Sequence, residues 1–134
     1  MKKADEDYEK ALLSQSGLVG GDGEKLANAR KEGWLYCGSF IGRVMETAIK
    51  MGESNACMKK IVAAPTAGSC GVMPAVLLNL QREKQFTDDR MTEAMFVAAG
   101  IGGVIANRAF LAGASGGCQA EIGSASAMAA GAAA

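Results

Sequence analysis

The side chains in this sequence best able to do chemistry are four cysteines, at positions 37, 57, 70 and 118. No two are spaced as a C-x-x-C pair, which excludes a zinc ribbon and a thioredoxin-type dithiol. There are no histidines, so the commonest general base, the commonest zinc ligand and any Ser-His-Asp or Cys-His arrangement within the chain are excluded. Cys118 lies in Ala114-Ser115-Gly116-Gly117-Cys118-Gln119-Ala120-Glu121, at the expected start of a helix. A thiol at a helix N-terminus suits a nucleophile or a metal ligand. Cys37, on an apolar helix face, and Cys57, beside an apolar run, are expected to be buried small hydrophobes. Cys70 stands in a loop next to Ser69.

Three loops rich in Gly, Ser and Thr each lead into a helix. The first is Ser16-Gly17-Leu18-Val19-Gly20-Gly21-Asp22-Gly23, the second Pro65-Thr66-Ala67-Gly68-Ser69-Cys70-Gly71, and the third spans Ala112 to Gly117. Glycine supplies backbone conformations closed to other residues. The amides of such a loop and the partly positive helix end behind it suit a phosphate or a carboxylate. None of the loops reads GxxxxGK[ST], and Gly100-Ile101-Gly102-Gly103 falls inside a helical pattern, which argues against a nucleotide site.

Helices must position these loops. Residues 3–15 predict a short charged helix with Tyr8, Leu12 and Leu13 on its apolar side. Asp22 is expected to cap a helix over residues 24–51, where Leu26, Ala29, Trp34, Cys37, Phe40, Ile41, Val44, Ala48 and Met51 follow three-and-four spacing. Its glycines imply close packing or a break near Gly33, and Gly52 is expected to close it. Ile61 to Ala64 ends extended before Pro65. A helix over 72–84 follows, with Pro74 in its first turn. Thr87 or Asp88 caps the next helix, whose early acids complement its dipole and which runs to about Leu111. From Cys118 onward the sequence reads as one more helix. The fold class is all-α, a compact small-residue-rich helical domain with Gly-rich loops at helix N-termini.

With 134 residues and 13.7 kDa, the chain makes one domain. Fourteen basic and fourteen acidic residues cancel, which argues against nucleic acid or an anionic membrane as partner. The apolar stretch Ala94 to Gly113 contains Asn107 and Arg108 and suits a core helix rather than a membrane span. The charged N-terminus and the cysteine usage suggest reduced thiols in a cytoplasm. Ala125 to Ala134 carries no charge, and a helix apolar all round should be buried; a larger protein or a partner chain is expected to cover it.

The three loops in order, with Asn55-Ala56-Cys57-Met58 between the first two and Ile122-Gly123 completing the third, resemble the alpha subunit (catalytic domain) of iron–sulfur-dependent L-serine dehydratase. The resemblance spans nearly the whole chain. It implies conversion of L-serine to pyruvate and ammonia without pyridoxal phosphate. A [4Fe-4S] cluster would act as Lewis acid on the substrate hydroxyl, because hydroxide is a poor leaving group. Cys118 matches the cluster cysteine of the family's GCQ motif. Ser16, Gly17, Gly20, Gly21, Asp22, Asn55, Pro65, Thr66, Gly68 and Ser69 match the segments assigned to the substrate pocket. Cys70 is not expected to be a ligand, since relatives read PTNGAAG there. Glu121 is either a polar pocket residue or a first-turn helix acid. The general base is not identified: Lys59, Lys60 and Glu121 are candidates, and a group outside these residues is preferred.

Val19 stands where the family commonly has Thr. The family's other cluster cysteines have no counterpart here, and neither does its beta domain. Residues 1–134 are therefore expected to be part of the catalytic domain, truncated at both ends, with no assembled cluster and no activity alone. The expected partners are L-serine and a beta subunit or domain, within a homo- or hetero-oligomer. Two other readings remain: a related L-cysteine desulfidase and a non-catalytic helical interaction module.

Overall fold

The computed structural model describes residues 1–134, and the chain is all-helical. Six helices follow one another: α1 (Lys2–Glu6), α2 (Asp22–Lys31), α3 (Gly38–Ala56), α4 (Val72–Lys84), α5 (Asp88–Arg108) and α6 (Gly113–Ala133). Helix α3 packs on α2 and α4, and α6 packs on α4 and α5, so the order in space is α2, α3, α4, α6, α5. No helix is long and apolar enough to cross a membrane.

Two apolar clusters meet at α4. Met73 and Leu77 of α4 pack with Ala98 of α5 and with Met128 and Ala129 of α6. Leu78, on the other side of α4, packs with Ala4 and Met51. Small residues let these helices approach closely. A Cβ on Gly102 would lie 2.9 Å from Met128 Sδ, and one on Gly71 would lie 2.7 Å from the Ala48 carbonyl oxygen. Asn79, buried at the α3–α4 contact, donates to Thr47 Oγ1 at 3.0 Å and to the Ala75 carbonyl at 2.8 Å.

Helix α4 has the bounds its sequence predicts, with Pro74 in the first turn. Thr87 caps α5, accepting from the Arg90 amide at 3.2 Å. The single helix expected over residues 24–51 is two helices: of close packing and a break, the two readings its glycines left open, the break is present, with Gly33 (φ 78°) and Gly38 (φ 76°) in left-handed conformations between α2 and α3. Several expectations are corrected. The first helix ends at Glu6, because Tyr8 turns inward to a hydrogen bond with Glu53, a contact that outweighs the weak cooperativity of one or two turns. Trp34, Cys37 and Ile41 are exposed rather than core, because the break shifts the helical phase. Gly52 does not close α3, which runs on to Ala56 through the buried Glu53 and Ser54. Gly21 (φ 82°), not Asp22, occupies the N-cap of α2, and the Asp22 carboxylate pairs with Lys25 at 2.8 Å. Helix α5 stops at Arg108. The C-terminal helix buries one stripe, with Ser124, Ala125, Met128 and Ala129, while Ile122 is exposed.

An ion-pair network joins α2 to α3. Arg30 Nε and Lys50 Nζ reach the two oxygens of Glu46 at 2.9 Å and 2.5 Å. Burial pushes the Glu46 carboxyl up, but the hydrogen bonds from Lys50 and Arg30 outweigh it and hold the group below its ordinary 4.5. A carboxyl lowered by folding adds stability that is present above its unfolded pKa and is lost as pH falls through the folded one. Denaturant midpoints should therefore drop as pH is lowered below 4.5, and the drop should be shallower in Glu46→Gln. Equal slopes in the two proteins would contradict this.

Candidate functional site

The second glycine-rich loop, between α3 and α4, is fixed mainly from outside itself. Asn55, in the last turn of α3, donates its Nδ2 to the Ala67 carbonyl at 2.8 Å. Gly71 lies flat against the Ala48 carbonyl, where a Cβ would collide with backbone. Cys70 is buried, and its Sγ faces the Met51 carbonyl at 3.8 Å. Burial pushes the Cys70 thiol up, which keeps it protonated and poorly suited to ligate a metal. Ser69 is buried too, with its Oγ 3.1 Å from Thr66 Oγ1 and 3.3 Å from the Thr66 carbonyl.

The third segment comes to meet this loop. Gly117 (φ 79°, ψ 166°) breaks α6 after its first turn, so a regular helix restarts at Cys118. Cys118 is exposed there. Glu121 follows three residues later, which places it on the same side of the helix one turn on. The Thr66 hydroxyl donates to Glu121 Oε1. The carboxylate fills a space that two glycines leave open. A Cβ on Gly68 would lie 2.5 Å from Glu121 Oε1, and one on Gly113 would lie 2.6 Å from Oε2. Thr66, Gly68, Ser69 and Glu121 thus share one place, with Cys118 a helical turn away.

The first loop is organised differently. Ser14 and Val19 close a turn, the Ser14 amide donating to the Val19 carbonyl at 2.8 Å and the Val19 amide to Ser14 Oγ at 3.1 Å. The amides of Asp22 and Gly23, at the start of α2, donate to Glu53 Oε1 at 2.5 Å and 3.1 Å. Tyr8 donates to Glu53 Oε2 at 2.6 Å. Burial, together with the Glu53 carboxylate, pushes the Tyr8 hydroxyl above its ordinary range, so it remains a donor. An internal carboxylate therefore occupies the anion-binding position that this helix end offers. Ser16, Gly17, Gly20, Gly21 and Asp22 form no hydrogen bond to either of the other two loops. Sequence reasoning passed over Glu53, because its partners lie 30, 31 and 45 positions away along the chain.

Lys59 and Lys60 stand on the exposed surface, paired with Glu9 at 2.9 Å and Asp7 at 3.7 Å. All four cysteines are free, and nowhere do three or more metal-ligating side chains converge. The chain thus offers two exposed thiols at helix starts, Cys118 in α6 and Cys37 at the N-cap of α3, and only Cys118 shares its helix with Glu121; these residues do not by themselves form a cage for an iron–sulfur cluster.

The serine dehydratase alpha chain family matches residues 1–134. A probable L-serine dehydratase alpha chain of Bacillus subtilis is 44% identical over 119 residues, covering 89% of this chain and 40% of that protein. The L-serine dehydratase alpha chain of Peptoniphilus asaccharolyticus is 42% identical over 118 residues, covering 88% and 40%. An L-serine dehydratase of Helicobacter pylori is 42% identical over 95 residues, covering 69% and 21%. The chain thus spans about 40% of the length of the alpha chains it matches. No solved structure matches it.

Because Glu53 receives two amides and a hydroxyl while almost fully buried, Glu53→Ala should cost about 1–3 kcal/mol for each buried group left unpaired. A lowered denaturant midpoint, with faster proteolysis across residues 14–21, is the expected result. An unchanged midpoint would show that solvent satisfies these groups equally well.

Proposed function

The chain belongs to the serine dehydratase alpha chain family, and from that membership we propose that it supplies part of the active site of an enzyme converting L-serine to pyruvate and ammonia. The observation that carries the proposal is the meeting of the Thr66–Ser69 hydroxyls, the Glu121 carboxylate and the Cys118 helix start. The Thr66–Glu121 contact joins segments 55 positions apart, and Cys118 lies three residues before Glu121.

The reaction removes the Cα proton and the β-hydroxyl of serine. The resulting aminoacrylate tautomerises to an imine, and water hydrolyses it to pyruvate and ammonia. Hydroxide leaves poorly, and a [4Fe-4S] cluster, when bound, supplies the Lewis acidity that the hydroxyl needs. Cys118 is proposed to give one thiolate to that cluster. Its other ligands are groups that these 134 residues do not bring together. Thr66 and Ser69 are proposed to hydrogen-bond the polar groups of a small amino acid, and Asn55 keeps their loop in position. Ser16, Gly17, Gly20, Gly21 and Asp22 are proposed to line the same pocket from the first loop. Pyridoxal phosphate has no part in this proposal. The general base is proposed to come from outside this chain, since Lys59 and Lys60 are engaged in surface ion pairs. The relatives' designation as alpha chains supports a second, beta component; the assembly is proposed to work in the cytoplasm, where thiols stay reduced.

The test is anaerobic. The complete enzyme, reconstituted with iron and sulfide, should form pyruvate from L-serine and show broad visible absorbance. Cys118→Ser should lose both. Pyruvate formation without iron, or a variant that keeps its cluster, would overturn the assignment of Cys118.

A further inference from the structure

Glu121 is an acidic side chain that no basic group in the chain meets. No lysine or arginine pairs with it. There is no charged residue between Lys60 and Arg82, and none other than Glu121 after Arg108. Both segments that meet at this carboxylate are therefore otherwise neutral. Its Oε1 accepts from Thr66, whereas its Oε2 accepts no hydrogen bond from the protein. The group is half-buried, walled by Gly68 on one side and Gly113 on the other. A partly desolvated carboxylate gains most from a cation that brings its own hydrogen-bond donors.

We infer that Glu121 Oε2 is the subsite for the α-ammonium of the substrate, which makes Glu121 a substrate-binding and specificity-determining residue. This rests on the serine dehydratase reading above. An ammonium fits better than a bare metal ion, because only one carboxylate is present and no further acidic ligand converges on it. The two glycines have a role in this arrangement: any side chain at Gly68 or Gly113 would move the carboxylate off its position. Thr66 holds the other oxygen, which leaves Oε2, lodged between Gly68 and Gly113, without a hydrogen-bond donor from the chain. With Cys118 one turn earlier on the same side of the helix, the ammonium would be held next to the thiol proposed as cluster ligand.

The test uses the assembled, iron-loaded enzyme and two ligands that differ at one group. L-Serine carries the ammonium, and glycerate has a hydroxyl in its place. Glu121→Gln keeps the acceptor for Thr66 and removes the charge. It should raise KM for L-serine by about tenfold or more, while inhibition by glycerate changes by less than about twofold. Gly113→Ala keeps the charge but displaces Oε2, and it should shift the two ligands in the same unequal way. Because this variant replaces glycine by alanine at a helical position, it guards against a Glu121 variant that fails to fold. Equal weakening of both ligands would mean that Glu121 only supports the loop, and an unchanged KM would mean that the ammonium binds elsewhere; either result overturns the inference. Restoration of full affinity in Glu121→Gln by added alkali cations would overturn it as well, by making a metal ion the occupant. Lack of any pyruvate from L-serine in the unmodified enzyme would overturn the dehydratase reading itself, and the ammonium subsite with it.

Discussion

A glycine-rich loop has few side chains with which to hold itself, so its shape must be imposed by polar groups from neighbouring elements. In this protein three side chains impose it. Glu53 takes the amides that follow the first loop, Asn55 takes a carbonyl of the second, and Glu121 takes the Thr66 hydroxyl and so joins the second loop to the third segment. Glu53 and Asn55 share the last turn of α3, so the end of one helix sets two loops at once. The continuation of α3 past Gly52 matters for this reason: had the helix stopped there, neither side chain would be in reach.

The small residues that limit the core also make the site possible. Only 22 of the 134 residues are buried, and no large aromatic side chain is among them. The helices are held instead by the close approach of Gly71 to the Ala48 backbone and of Gly102 to the Met128 side chain, and by Met and Leu around α4. The same absence of side chains at Gly68 and Gly113 leaves room for a carboxylate between two segments. Helix packing and site geometry therefore use one resource, and a change that fills a glycine position affects one or the other according to what it meets.

The local features of the fold were readable from the sequence. Pro74 and the Gly71 boundary marked α4, and Thr87-Asp88 marked the start of α5, because each acts through its own backbone or the next turn, whereas Gly33 left packing and a break equally open. The features that were not readable depend on partners distant in the chain. Tyr8 looked like an apolar helix residue and is a donor to Glu53. Asp22 looked like a cap, but its place was taken by a carboxylate from α3. Cys37 fitted an unbroken helical stripe and fell out of it once the break shifted the phase. Within the candidate site, the motif residues of the second and third loops could be named in advance. That Glu121 joins them could not, because a first-turn acid and a pocket acid look alike in one dimension.

The Cys118 helix start and the Thr66–Glu121 contact are proposed to form one site that holds iron next to substrate. An anaerobic crystal structure of the complete enzyme, with data collected at the iron absorption edge, tests it most directly. The expected result is an anomalous iron peak bonded to Cys118 Sγ, on the side of α6 that carries Glu121. An iron peak bound by other residues, with Cys118 free, would contradict it.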